Sequence, residues 1–89
     1  MQASKPPGRG TSHEVQAGLA EIVGKVTGLE PGEVLPERRF VDDLRIDSLA
    51  MVEILEGAAS HFGVHIEDEA AKTFVRVQDL AGYLSAGRS

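Results

Sequence analysis

Cysteine and tryptophan are both missing from this chain. Without cysteine there is no disulfide, no thiolate nucleophile and no cysteine-based metal site, which is compatible with a reducing compartment. Aromatics are scarce: Phe40, Phe62, Phe74 and Tyr83 are all there are. No apolar run is long enough to span a bilayer. The opening stretch MQASKPPGRG lacks the apolar segment of a signal peptide. Its Pro, Gly and Ser content predicts a disordered tail over 1–10, and a cytoplasmic protein is expected. No glycine-rich phosphate loop of standard spacing occurs either.

What is present fits one small domain of the 89 residues, expected over 11–86 with a flexible C-terminus at 87–89. Net charge is −5. Basic residues are rarest between Asp42 and Glu69, where Arg45 alone faces Asp42, Asp43, Asp47, Glu53, Glu56, Glu67, Asp68 and Glu69. Such a segment repels nucleic acid. It either keeps the domain soluble or steers a basic partner into contact.

Helical periodicity dominates. Val15, Leu19, Ile22, Val23 and Val26 form one apolar face of a helix expected over Ser12–Thr27, with a capping box from Thr11 to Glu14 and a stop at Gly28. Gly18 and Gly24 inside it each cost about 1 kcal/mol against alanine, so the helix needs tertiary support. The connection LEPGEVLPERRFVDDLRI exceeds the roughly 12–15 residues usual for an unstructured loop. Its Leu29, Val34, Leu35, Phe40, Val41, Leu44 and Ile46 should pin it across the helices.

A second helix is expected from Asp47 or Ser48 to His61 or Phe62, capped by Asp47 and ended before Gly63. At about 100° per residue it carries two apolar stripes. Met51, Ile54, Leu55, Ala58 and Phe62 form one side, a core face. Leu49 and Val52 share the other with Glu53 and Glu56, which suggests a partner surface unless the long loop covers it. One short helical turn is expected over Glu67–Lys72 and a last helix over Val77–Ser85. No alternation is long enough for a sheet. The expected fold is all-α: a small antiparallel bundle of three main helices plus a short one, with a long loop between the first and second.

The catalytic inventory does not assemble. His61 and His65 flank Gly63 without a third ligand, so no metal site is expected. Asp42 and Asp43 suit a solvated loop better than a carboxylate pair. Ser48 is left. Asp47 already caps the helix, so Ser48 is not needed there. Its hydroxyl sits at the positive end of the helix dipole, beside free N–H groups that can receive a phosphate ester.

Asp47–Ser48–Leu49 followed by MVEIL closely resembles the modification motif of acyl carrier proteins. FVDDLRIDSL, then Phe62–Gly63–Val64, then IEDEAAKTF and VQDLAGYL fall in that family's order from about Ser12 to Leu84. The run EIVGKVTGLEPGEVLPERRFVDDLRIDSLAMVEI is most similar to actinobacterial carriers of mycolate-type fatty-acid elongation, and similar sequences serve polyketide pathways. The resemblance implies a carrier rather than an enzyme. It implies 4′-phosphopantetheine, delivered from coenzyme A onto Ser48 by a phosphopantetheinyl transferase that brings its own base and magnesium, with Asp47 and Leu49 flanking the site. Acyl groups would ride as thioesters among acyltransferase, ketosynthase and other acyl-processing enzymes. Asp43, Arg45, Leu49, Val52, Glu53 and Glu56 would form the partner face of a monomer.

Three features depart from the family. Arg45 and Ile46 stand in a run where many members have glycine. Glu56 replaces a large apolar residue, and FVRV lacks the Ser or Thr that commonly caps the last helix, leaving its start weakly specified. Slack for part of an acyl chain is expected beside the small residues Gly57, Ala58 and Ala59, centred on Ala58. A peptidyl carrier is the sibling alternative, disfavoured by Asp47. An unmodified acidic interaction module is the alternative of a different class.

Overall fold

The computed structural model describes residues 11–87. The expected tail at 1–10 lies outside it. So does the side chain of Thr11, and with it the expected capping box to Glu14. The chain forms α1 (Thr11–Thr27), a 3-10 turn (Pro31–Glu33), α2 (Ser48–Phe62), α3 (Asp68–Ala71) and α4 (Val77–Gly87). This is the expected all-α bundle of three main helices and a short one. Among the described residues there is no strand, only one isolated antiparallel bridge between Arg39 and Arg76.

α1 buries Val15, Leu19 and Val23 of the expected stripe together with Ala20, leaves Ile22 and Val26 partly buried against the core, and packs on both α2 and α4. Its interior Gly24 looks costly by propensity alone. A Cβ there would lie 2.8 Å from the carbonyl oxygen of Leu29, so only glycine lets the chain double back so tightly. The Thr27 hydroxyl donates to the Val23 carbonyl at 2.7 Å and closes the last turn.

The long loop contributes to the core. Val34, Phe40, Leu44 and Ile46 are buried. A fully buried Phe or Val side chain contributes about 1.5–3 kcal/mol. Leu35 and Val41 were expected to point inward with them. They do not: they remain 37% and 62% exposed, because each follows a buried neighbour and its side chain is thrown to the other side. The Phe40 amide donates to Val75 and the Ile46 amide to Phe40, each at 2.9 Å. Gln16 Nε2 donates to the Val34 carbonyl at 2.8 Å, tying the loop to α1 as well.

α4 runs to Gly87, two residues beyond the expected Ser85. Its start is firmly specified, contrary to the sequence expectation. Asp79 Oδ2 accepts the backbone N–H groups of Arg76 at 2.8 Å and Val75 at 3.0 Å. The Val77 and Gln78 amides donate to Arg38 and Pro36 of the loop. The loop carbonyls of Pro36 and Arg38 thus take the first-turn amides that a Ser or Thr cap would otherwise serve, and Asp79, reaching back, supplies the other half of a capping box. These hydrogen bonds, first from Arg76 and then from Val75, hold the Asp79 carboxyl below its ordinary pKa against a small opposing effect of burial, with the Arg76 charge adding to the lowering.

Candidate functional site

Ser48 opens α2 and is exposed. The turn before it sets its position. The amides of Asp43 and Leu44 donate to the Arg39 carbonyl and that of Arg45 to Val41, so residues 39–45 wind into a compact turn. Buried Leu44 and Ile46 anchor that turn in the core. Between them Arg45 takes the left-handed conformation, φ 58°, the one non-glycine residue to do so among those described. That conformation explains why glycine suits this run.

Asp47 then caps α2, accepting the Ala50 amide at 2.8 Å. The hydroxyl of Ser48 has no hydrogen-bond partner among the described residues. The amides of Ser48 and Leu49 have no acceptor within the helix. The site is therefore an exposed hydroxyl beside free N–H donors, at the positive end of a 15-residue helix. At the far end, Gly63 in the left-handed region stops α2.

One cleft opens beside this hydroxyl and a second adjoins it. One, about 390 Å³, is lined by Ser48 and Asp47 with Phe40, Val41, Met51, Leu55 and Phe74, and is closed by Ala71 and Lys72. The other, about 590 Å³, continues along α2 past Val52, Leu55, Glu56 and Ala59, and its far wall is Ile66 and α3. Leu55, Ala71 and Lys72 line both, so they are adjoining parts of one trough between α2 and α3, apolar along Leu55, Ala59, Ile66 and Ala71 and lined as well by the exposed Glu56, His65, Asp68, Glu69 and Lys72. Ala58 does not line it: it is fully buried in the core. The expected slack at Ala58 thus lies one residue on, at Ala59. That is 100° around the helix, the difference between its inner face and its α3 side.

The expected partner-face residues come out exposed. Leu49 is 70% and Val52 49% accessible, so the long loop does not cover them. They do not all point one way. Val52 and Glu56 lean toward α3, whereas Glu53 lies with Lys25, Val26 and His61 on the α1 side. Asp43 is exposed but engaged, accepting the Arg39 amide at 2.8 Å, while Asp42 pairs with the Arg39 guanidinium at 3.3 Å. The two adjacent carboxylates serve the turn separately. Arg45 has no ion pair among the described residues. His61 packs edge-on against Phe62, and His65 lies 3.3 Å from Glu67. Of the lining residues, Ala59 belongs to the expected slack and Leu55 to the expected core face, whereas Ile66, Ala71 and Lys72 carry no site signal in the sequence, because α3 is too short to show a period.

Comparison with known proteins agrees with this geometry. Residues 17–84 match the family described as the phosphopantetheine attachment site. The chain is 51% identical over 74 residues to the meromycolate extension acyl carrier protein of Mycolicibacterium smegmatis, covering 83% of this chain and 75% of that one. It is 44% identical over 79 residues to the acyl carrier protein of Micrococcus luteus, covering 89% and 98%. The structure of the acyl carrier protein from Enterococcus faecalis superposes with a TM-score of 0.71 at 26% identity, covering 85% of this chain and 96% of that one. With its motif, bundle and exposed serine, the chain belongs to the acyl carrier proteins, the family built around a phosphopantetheine attachment site.

Proposed function

We propose that Ser48 is the attachment point of the phosphopantetheine arm and that the arm carries fatty-acyl intermediates. The observation that carries this reading is the free, exposed hydroxyl at the capped start of α2, within the family match. The residues fit the group. The N–H groups of Ser48 and Leu49, without acceptors in the helix, would donate to a phosphodiester, and the trough between α2 and α3 begins at the hydroxyl. In the loading step the Ser48 oxygen bonds to the phosphorus nearer the pantetheine. The diphosphate P–O bond of coenzyme A breaks and the nucleotide half leaves. The hydroxyl proton passes to a base on the transferase, since this site holds none. When bound, the arm supplies the thiol on which acyl groups travel as thioesters.

The chain's own part is then to present and to shelter. Leu49, Val52, Glu53 and Glu56, with Asp43 and Arg45 at the loop end, present the arm to a basic transferase and to acyltransferase and ketosynthase partners. Leu55, Ala59 and Ile66 offer apolar shelter to part of the chain. The similarity to meromycolate extension carriers supports elongation of long fatty acids over polyketide assembly. A cytoplasmic monomer is proposed; no helix among the described residues is long and apolar enough to cross a membrane.

The test is intact mass after incubation with coenzyme A and a promiscuous phosphopantetheinyl transferase, followed by peptide mapping. One phosphopantetheine on the peptide containing Ser48 is the expected result. No gain, or a gain elsewhere, overturns it. Mass spectrometry from the native host, read for the attached acyl group, then decides between fatty-acid and polyketide cargo.

A further inference from the structure

We propose that Tyr83 is a positioning residue for the cargo: from α4 it braces both ends of the α3 wall and so sets how far the trough beside Ser48 opens. The inference rests on the reading of that trough as the shelter of the acyl chain.

The wall has little of its own to hold it. α3 has four residues and buries none of them. A helix that short does not persist by itself in water. What fixes it comes from its flanks. On the N-terminal flank the Tyr83 hydroxyl accepts the Glu67 amide at 3.4 Å and donates to the His65 carbonyl at 3.3 Å. On the C-terminal flank the Tyr83 ring meets Phe74 edge-on, centroids 5.4 Å apart. One side chain therefore touches both sides of α3. His65 and Ile66 line the larger cleft and Phe74 the cleft at Ser48.

The two flanks are not equally secured. Asp79 lies one turn before Tyr83 on α4 and holds the Val75 and Arg76 amides, so the C-terminal flank has a second anchor. The N-terminal flank has partly buried Ile66 and the Tyr83 hydroxyl. Both bonds of that hydroxyl are long and solvent-exposed, so water can replace them. Leu80 and Leu84 beneath are fully buried and stay in place. The arrangement makes the His65–Glu67 flank the end that swings, with the Phe74–Arg76 flank as pivot. A short chain fits without releasing the hydroxyl; a longer one needs it released.

Tyr83→Phe tests this by removing the hydroxyl while keeping the ring on Phe74. Amide exchange is read first, on the full unmodified chain. The Glu67 amide and the Ala71 amide, which donates to Glu67, should exchange about two- to tenfold faster. The amides of Val23 and Leu80 should keep their rates. Saturated acyl chains of increasing length are then loaded, and thermal unfolding is recorded. The length beyond which stabilisation stops rising should move to longer chains in Tyr83→Phe. Unchanged exchange at Glu67 and Ala71, equal acceleration throughout the protein, or an unmoved length limit each overturns the proposal. The exchange experiment needs no modification, so absence of phosphopantetheine at Ser48 would defeat the carrier site and leave this result standing by itself.

Discussion

Asp47 and Ser48 are adjacent, yet only one hydroxyl or carboxylate of the pair is committed to the fold: Asp47 accepts the Ala50 amide at 2.8 Å, and the Ser48 hydroxyl bonds to nothing described. The cap and the reactive group are thus separate residues, and each can be changed without the other.

Ser48→Ala should therefore fold normally, with stability within about 0.5 kcal/mol of wild type, as for surface changes away from caps and core. It should lose all mass gain from coenzyme A. Asp47→Ala should instead cost about 1 kcal/mol through the lost cap. Urea denaturation and intact mass on the same samples separate the two roles; a mass gain that survives in Ser48→Ala removes Ser48 from the mechanism.

Charge reversal on α2 should slow loading without unfolding the domain. Exposed pairs are worth about 0.2–1 kcal/mol each, so Glu53→Lys and Glu56→Lys should each lower the loading rate up to several-fold. Raising salt should slow wild-type loading too, because exposed charges are screened over about 8–10 Å at ordinary ionic strength. The measurement is initial rate against salt for the three proteins. Rates indifferent to both changes would mean that the acids only keep the domain soluble.

The cleft should respond to Ala59 and the core to Ala58. Ala58→Leu overpacks a fully buried position and should destabilise by about 1–3 kcal/mol before any cargo is attached. Ala59→Leu points into the trough and should leave the unloaded protein stable. It should cut the stabilisation gained from an acyl chain, up to about 0.8 kcal/mol per methylene excluded. Melting temperature against chain length is the readout. If wild-type stability does not rise with length, the chain stays outside.

Asp79 should make the start of α4 acid-sensitive. Its folded pKa lies below the usual aspartate value of about 3.9, so its contribution is present in full above that value. It is lost as pH falls from there through the lowered folded pKa. Asp79→Asn keeps an acceptor without the titrating charge. It should flatten this part of the stability profile, measured by denaturant midpoint at descending pH. A profile that keeps its slope in Asp79→Asn would place the acid sensitivity elsewhere.

Arg45→Gly should stabilise the domain by about 0.5–1 kcal/mol. The left-handed conformation costs an ordinary residue about 1–2 kcal/mol, and the greater freedom of glycine in the unfolded chain offsets part of the gain. If its loading rate also changes, the guanidinium takes part in recognition; if only the unfolding midpoint moves, the positive charge is incidental to it.

The sequence by itself determined the helices, the main core stripes and the position of the motif. Those are local properties. Val15, Leu19 and Val23 fall on one face whatever they pack against, and Asp47 caps whatever helix follows it. The exposure of Leu49 and Val52 was also legible, because a helix packed on one side has no use for a second apolar stripe. Tertiary structure decided the rest, for reasons of distance along the chain. That Gly24 serves a close approach depends on where Leu29 returns. The start of α4 depends on loop carbonyls at Pro36 and Arg38 meeting the Val77 and Gln78 amides. The trough depends on a four-residue helix, too short to show a period, being held opposite Leu55 and Ala59 by a tyrosine many residues later. Whether the open space lay at Ala58 or Ala59 turned on a 100° step around one helix, and only the packing of α1 and α3 on either side of that step could fix it.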